Sequence, residues 1–193
     1  MKKITFILLL FSLTSQAQSP YDNLTSSRTK FKSGVGVAFS STESMWGYSM
    51  HSEYNYFLNK NISLTSGLAV MHFRDDTPDV LKNAQVESLE IGIALHLLEN
   101  EDLSFHIGGG GNLRYFHWGI AVPSNHRSYT FDNRVIHPGN KKTLDQLTAG
   151  YSLNAAFGLK ITPKMRLLFQ EQLQNDKKNN ITWDSRLALL FKF

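Results

Sequence analysis

Gly108-Gly109-Gly110-Gly111 is the run in this chain that first suggests chemistry, because the backbone amides of a glycine-rich loop can cradle phosphate. It has neither the G-x-G-x-x-G spacing nor a Gly-Lys-Ser/Thr, and it lies inside a segment that alternates as a strand. Seven histidines raise the question of a metal site. None is paired at i, i+4 on a helical pattern, no H-E-x-x-H occurs, and without cysteine there is no thiolate ligand. His51, His96 and His106 fall on the polar faces of alternating segments and read as members of a polar network. His51-Ser52-Glu53 brings triad residue types together, but alternation sends Ser52 to the face opposite its neighbours. No catalytic, cofactor-binding or metal-binding residue is assigned, and no cofactor is expected.

The elements that would position these side chains are clearest at the end of the chain. Ile181, Trp183, Ser185, Leu187, Leu189, Phe191 and Phe193 form one nearly apolar face, and Thr182, Asp184, Arg186, Ala188, Leu190 and Lys192 form the other. Strict period-two alternation over that length predicts a β-strand long enough to cross a bilayer at a tilt. Seven further segments alternate in the same way: Gly34–Ser41, Gly47–Leu58, Ile62–His72, Val86–Leu97, Leu103–Trp118, Leu147–Lys160 and Lys164–Gln174. All five prolines fall outside these segments, as the missing amide donor requires. The connections after the second, fourth and sixth are short (Asn59–Asn61, Asn100–Asp102, Ile161–Pro163). Those after the third and fifth are long, 73–85 and 119–146.

Short turns at one rim, long loops at the other and a final strand closing on Phe193 resemble the outer-membrane β-barrels of Gram-negative bacteria. Tyr54–Val70 is similar to a periplasmic hairpin of the small OmpA/OmpX-like, porin-like class. The resemblance implies an all-β fold, an eight-stranded antiparallel up-and-down transmembrane β-barrel with short periplasmic turns and long extracellular loops. It also implies partners: outer-membrane lipid and lipopolysaccharide around the wall, and the barrel assembly machinery through the C-terminal strand ending in Phe193.

A soluble lipocalin-like ligand-binding barrel would alternate identically, with its apolar face turned inward. Three features favour the membrane. The polar face is rich in Gly, Ala, Ser and Thr, which suit a crowded lumen. Aromatics of the apolar face gather near strand ends, with Tyr48, Tyr115 and Trp183 at one rim and Tyr54, Tyr56, Phe105, Phe191 and Phe193 at the other. The ionisable residues on that face are His72, Glu87, His117 and Glu171, each expected toward the long-loop end of its strand. A charge there costs about 0–1 kcal/mol, against roughly 2–4 kcal/mol for a base at the midplane.

Met1–Ala17 combines charged Lys2 and Lys3, an apolar Ile4–Leu13 and a small-residue Ser15-Gln16-Ala17 site, which predicts a cleaved secretory signal. Residues 18–193 are then one barrel domain. Losing Lys2 and Lys3 lowers the net charge from +4 to +2, because 18 basic residues remain against 16 acidic ones. That balance makes no case for nucleic acid. The absence of cysteine excludes a disulfide framework despite export.

His126-Arg127-Ser128 resembles the His-x-Ser of barrel-type lipid A deacylases, which implies an outer-membrane lipid hydrolase as the alternative function. That family follows the serine with Asn where this chain has Tyr129, and carries the pair on a strand. The loop 119–146 also holds Arg134, His137, Lys141 and Lys142 against Asp132 and Asp145, a charge balance that suits either an anionic surface ligand or a solvated loop with no partner. Glu53, Glu90 and Asp184 face inward with Arg114, Lys160, Arg166, Arg186 and Lys192. They are expected to fill the lumen as one network, with Asp184 reaching Arg166 and Glu90 reaching Arg114. The reading is a monomeric, non-enzymatic outer-membrane protein with a structural or surface-interaction role. The mature protein should begin at Gln18; intact-mass measurement of membrane-inserted protein that still carries Met1–Ala17 would overturn the leader.

Overall fold

A sheet with one apolar face can hide its unpaired edges by closing on itself, and in hydrocarbon it has no other means of satisfying them. The computed structural model describes residues 28–41, 44–76, 80–131, 134–177 and 180–192. The leader and Phe193 lie outside the described residues. Ten strands follow one another: β1 (Thr29–Ser40), β2 (Met45–Phe57), β3 (Ile62–Asp76), β4 (Leu81–Glu99), β5 (Leu103–Ala121), β6 (Tyr129–Phe131), β7 (Arg134–Ile136), β8 (Lys141–Thr162), β9 (Met165–Asp176) and β10 (Thr182–Lys192). Eight of them close antiparallel in the order β1-β10-β9-β8-β5-β4-β3-β2, and β6 and β7 pair as a separate hairpin.

The pairing also fixes the tilt. From Val35 the partners run one way through Met50, Val70 and Glu87 to Tyr115, and the other way through Leu187, Phe169 and Phe157 to Phe105. The ring thus returns to β5 ten residues displaced (115 − 105). Eight strands with that stagger tilt by about 40°, so each residue rises roughly 2.5 Å along the axis. An apolar band about 25 Å tall takes about ten residues per strand. β4 and β5 have 19 residues and β8 has 22, so these strands rise well past such a band.

Above the band the alternation keeps its period but reverses its sense. In the lower part Val70, Leu89, Leu113 and Tyr151 face outward, and Ala69, Ser88, Asn112 and Ser152 face inward. Higher up, Arg74, Gln85, His117 and Asp145 face out while Met71, Phe73, Val86, Phe116, Trp118 and Leu144 are buried inside. These buried side chains, with Ala38, Met45 and Ala84, form a hydrophobic core within the upper barrel. A second cluster of Val80, Ile120, Val122 and Ile136, with Tyr129 of the β6–β7 hairpin packed on it, joins the first through Phe131. Phe131 packs on Trp118 at 5.2 Å between ring centroids.

This reversal corrects the expected loops. The connection expected over 73–85 is only 77–80, because β3 continues to Asp76 and β4 starts at Leu81. The connection expected over 119–146 is 122–140 and contains the hairpin. β1 also begins at Thr29, five residues before Gly34, and so brings Lys30 and Lys32 inside the ring. Glu171 is a further correction. It lies near the middle of β9, opposite Ala155 and Ser185, rather than toward the long-loop end. Its carboxylate accepts hydrogen bonds from Ser185 Oγ at 2.7 and 2.8 Å and from the Trp183 indole nitrogen, which lowers the cost of its outward position. Removing Phe116 should open the upper core: Phe116→Ala is expected to cost about 3–5 kcal/mol. Hydrogen exchange should then quicken in β4, β5 and β8 above Arg114, while amides of the lower band stay protected.

Candidate functional site: the lumen and its two mouths

The inward residues of β1, β9 and β10 have even numbers, as do those of β5, β8 and β4 as far as His96, past which a bulge turns Glu99 inward; in β2 and β3 they are odd. That parity collects the charged side chains into one interior. Lys32 on β1 stands directly across from Glu53 on β2, and their ion pair is 2.8 Å long with 1 % and 7 % of the side chains exposed. Asp184 Oδ2 lies 2.7 Å from Arg186 Nη2 on its own strand, and Asp184 Oδ1 accepts from Ser49 Oγ at 2.6 Å. Arg186 also donates to Gln172 Oε1. Glu90 accepts from the side-chain amides of Gln172 and Gln174, each at 2.6 Å.

Arg114 sits where the polar and apolar storeys meet. Its guanidinium stacks over Phe116 at 4.7 Å, donates to Thr182 Oγ1 and the Asn180 carbonyl, and stands 3.8 Å from Asp176. Asp176 in turn accepts from Thr148 Oγ1 and from the Asn180 side chain and backbone, at 2.9 to 3.1 Å. At the lower end Glu99 takes Lys30 at 2.8 Å and Arg166 at 3.6 Å, and Arg166 donates to the carbonyls of Asn100 and Leu103.

The two expected pairings are therefore not made. Asp184 turns to Arg186 and Ser49 instead of Arg166, because residues two apart on one strand share a face and Arg166 is drawn down to the turn carbonyls. Glu90 turns to two glutamines instead of Arg114, which is held by Asp176 and the β9–β10 turn. The side chain of Lys192, expected inward, is not among those described, and among the others the expected excess of inward bases is not found. Among the described side chains Lys30, Lys32, Arg114, Arg166 and Arg186 meet Glu53, Glu90, Glu99, Asp176 and Asp184. Lys160 is exposed at the lower mouth. Lys30, Lys32, Glu99 and Asp176 escaped the sequence reading, although Lys30 and Lys32 continue the parity of Gly34 and Gly36, and Asp176 that of Gln172 and Gln174.

The histidines do face inward as expected: His51 and His106 are buried, and His96 stacks between Phe57 and His106. Among the described residues no group of three His, Asp or Glu side chains stands close enough to hold a metal ion. Gly108–Gly111 lies within β5 and forms no loop. In the β6–β7 region Ser128 Oγ meets His137 Nδ1 at 3.2 Å, not His126, and the pair is exposed. No described carboxylate orients His137. The basic residues expected in one loop are spread over the 122–128 turn, the hairpin and the start of β8.

The closed ring of eight antiparallel strands superposes on solved structures. The chain has the fold of the small outer-membrane β-barrels. The attachment invasion locus protein Ail of Yersinia pestis superposes with a TM-score of 0.58 at 10 % identity, over 88 % of this chain and all of that one. Neisserial surface protein A gives 0.58 at 12 % identity over 88 % and 100 %. The outer membrane protein OprG of Pseudomonas aeruginosa gives 0.59 at 9 % identity over 87 % and 97 %. No protein-family model and no curated protein sequence matches the chain. At 9 to 12 % identity the likeness is one of fold.

Lys32 and Glu53 test that interior. Lys32→Met should destabilise the refolded protein by about 3–5 kcal/mol, because it strands a buried carboxylate. Adding Glu53→Leu should recover most of the loss. Equal guanidinium midpoints for wild type and Lys32→Met would show that the pair carries no such weight.

Proposed function

We propose that the chain is a monomeric, non-enzymatic protein of the Gram-negative outer membrane, with a structural or surface-interaction role and a lumen that does not conduct. The observation that carries this reading is the polarity of the lower storey. Val35, Met50, Ile91, Leu153, Phe169 and Leu187 each turn half or more of their surface outward, while the ion pairs lie inside. In water each such side chain would forgo about 1–2 kcal/mol of burial, which a lipid surround restores. A lipocalin would hold the same residues within.

In this orientation the short turns and both ends of the barrel face the periplasm, and the β6–β7 hairpin faces outward. Residues 1–17 would be removed on export, leaving 18–193 as the barrel domain. Outer-membrane lipid and lipopolysaccharide would surround the wall, and the assembly machinery would read the closing strand that ends in Phe193. Ail is named for attachment and invasion and the Neisserial protein for the surface, which supports a surface role for the outer storey. Its basic residues within 119–146 then suit an anionic surface ligand.

A lumen filled by buried side chains in its lower half and by an aromatic core in its upper half supports the non-conducting reading. Two measurements test the proposal. In liposomes, brominated lipid should quench Trp183 in a W46F/W118F background and leave Trp118 in a W46F/W183F background bright; equal quenching would remove the membrane reading. In planar bilayers, steady single-channel current from the refolded wild type would remove the plug.

A further inference from the structure

The end of the barrel that carries the short turns holds a cup of about 610 Å³. Five of its lining side chains are cationic, Lys30, Lys60, Lys160, Lys164 and Arg166, and two are acidic, Glu99 and Glu101. Glu99 is shared between Lys30 and Arg166, so one carboxylate serves two bases at the floor. Lys30 also stands over the Phe57 ring at 4.3 Å. Lys60, Lys160 and Lys164 are exposed and approach the cup from two different turns and the end of β8.

The cup is blind. Above its floor the lumen is occupied by Lys32, Glu53, Gln170 and Arg186, all buried. A concave surface with an excess of three positive charges and low-dielectric walls focuses potential on whatever enters it. Phe57, Met165 and Leu190 give one side of the cup an apolar lining. Cations at the rim with apolar carbon beside them match an anion joined to an organic group.

We propose that this cup binds a phosphate-bearing organic anion, through Lys60, Lys160 and Lys164 at the rim and Arg166 at the floor. The position beside the lipid wall allows two sources of that chemistry, a soluble phosphate ester or the headgroup of an anionic phospholipid. The proposal goes beyond the non-conducting barrel reading and stands independently of the direction in which the barrel is inserted.

Titration calorimetry on the refolded full chain in maltoside detergent at low ionic strength tests it. The probes are glycerol 1-phosphate and short-chain phosphatidylglycerol, with glycerol as the uncharged control. Binding of either charged probe is expected, weakened at least tenfold in Lys60→Gln/Lys160→Gln/Lys164→Gln and unchanged in Lys177→Gln, an exposed residue at the opposite end. Equal affinity for both probes identifies the phosphate ester itself as the ligand; binding of phosphatidylglycerol alone identifies the headgroup with its chains. Because the three rim lysines are exposed, the variant should fold, and an unchanged β-sheet circular dichroism spectrum verifies that. The site is refuted by heat no greater than that of glycerol for both probes, or by undiminished binding in the triple variant.

Discussion

Eleven residue pairs, from Lys30 with Lys192 to Ser40 with Thr182, join β1 to β10. Without that seam the sheet would leave two open edges, and a row of amides and carbonyls would lack partners wherever water is absent. The strands come together closely there. A Cβ on Gly34 would stand 2.6 Å from the Cβ of Ala188, and one on Gly36 would meet the Ser185 carbonyl oxygen. Closure at this register sets the stagger, the stagger sets the tilt and radius, and the radius limits what fits inside.

The interior follows from that limit. A ring of eight leaves room for side chains and little else, so any charge pointing inward must find its partner among other side chains. Here the partners are chosen by reach as much as by strand adjacency. Arg114 on β5 bonds to Thr182 at the start of β10, and Glu90 on β4 is met by glutamines of β9, in both cases across the lumen. Those contacts fasten opposite walls together and make the interior a brace for the ring.

Much of the wall was legible in the sequence, since period-two alternation survives whatever surrounds a strand. All eight wall strands were recognised, with their short turns and inward histidines. The errors came where the surroundings changed. Lys30 and Lys32 did not look like a membrane strand, so β1 was begun late. Phe73, Ala84, Ile120 and Leu144 do not look like a polar lumen, so the segments legible in the sequence stop at His72 and Trp118 and start at Val86 and Leu147, short of the tops of β3, β4, β5 and β8. The alternation still runs through these segments with its sense inverted, and under the proposed reading that inversion marks the level at which lipid gives way to water. The ion-pair partners were not legible, because long side chains span the lumen and parity says only which face they share.

Continuous strands carry both senses of alternation, and this leaves the barrel a single comfortable depth. A displacement of two residues along the strands moves the wall by roughly 5 Å. Downward, it would push Glu87 and His72 into hydrocarbon; upward, it would lift Leu113 and Val70 into water. The strands are rigidly cross-braced, whereas acyl chains stretch and compress at fractions of a kcal/mol per Å. Under the proposed membrane reading, the lipid around this protein adjusts its thickness to the barrel, and membranes of mismatched thickness hold it less well.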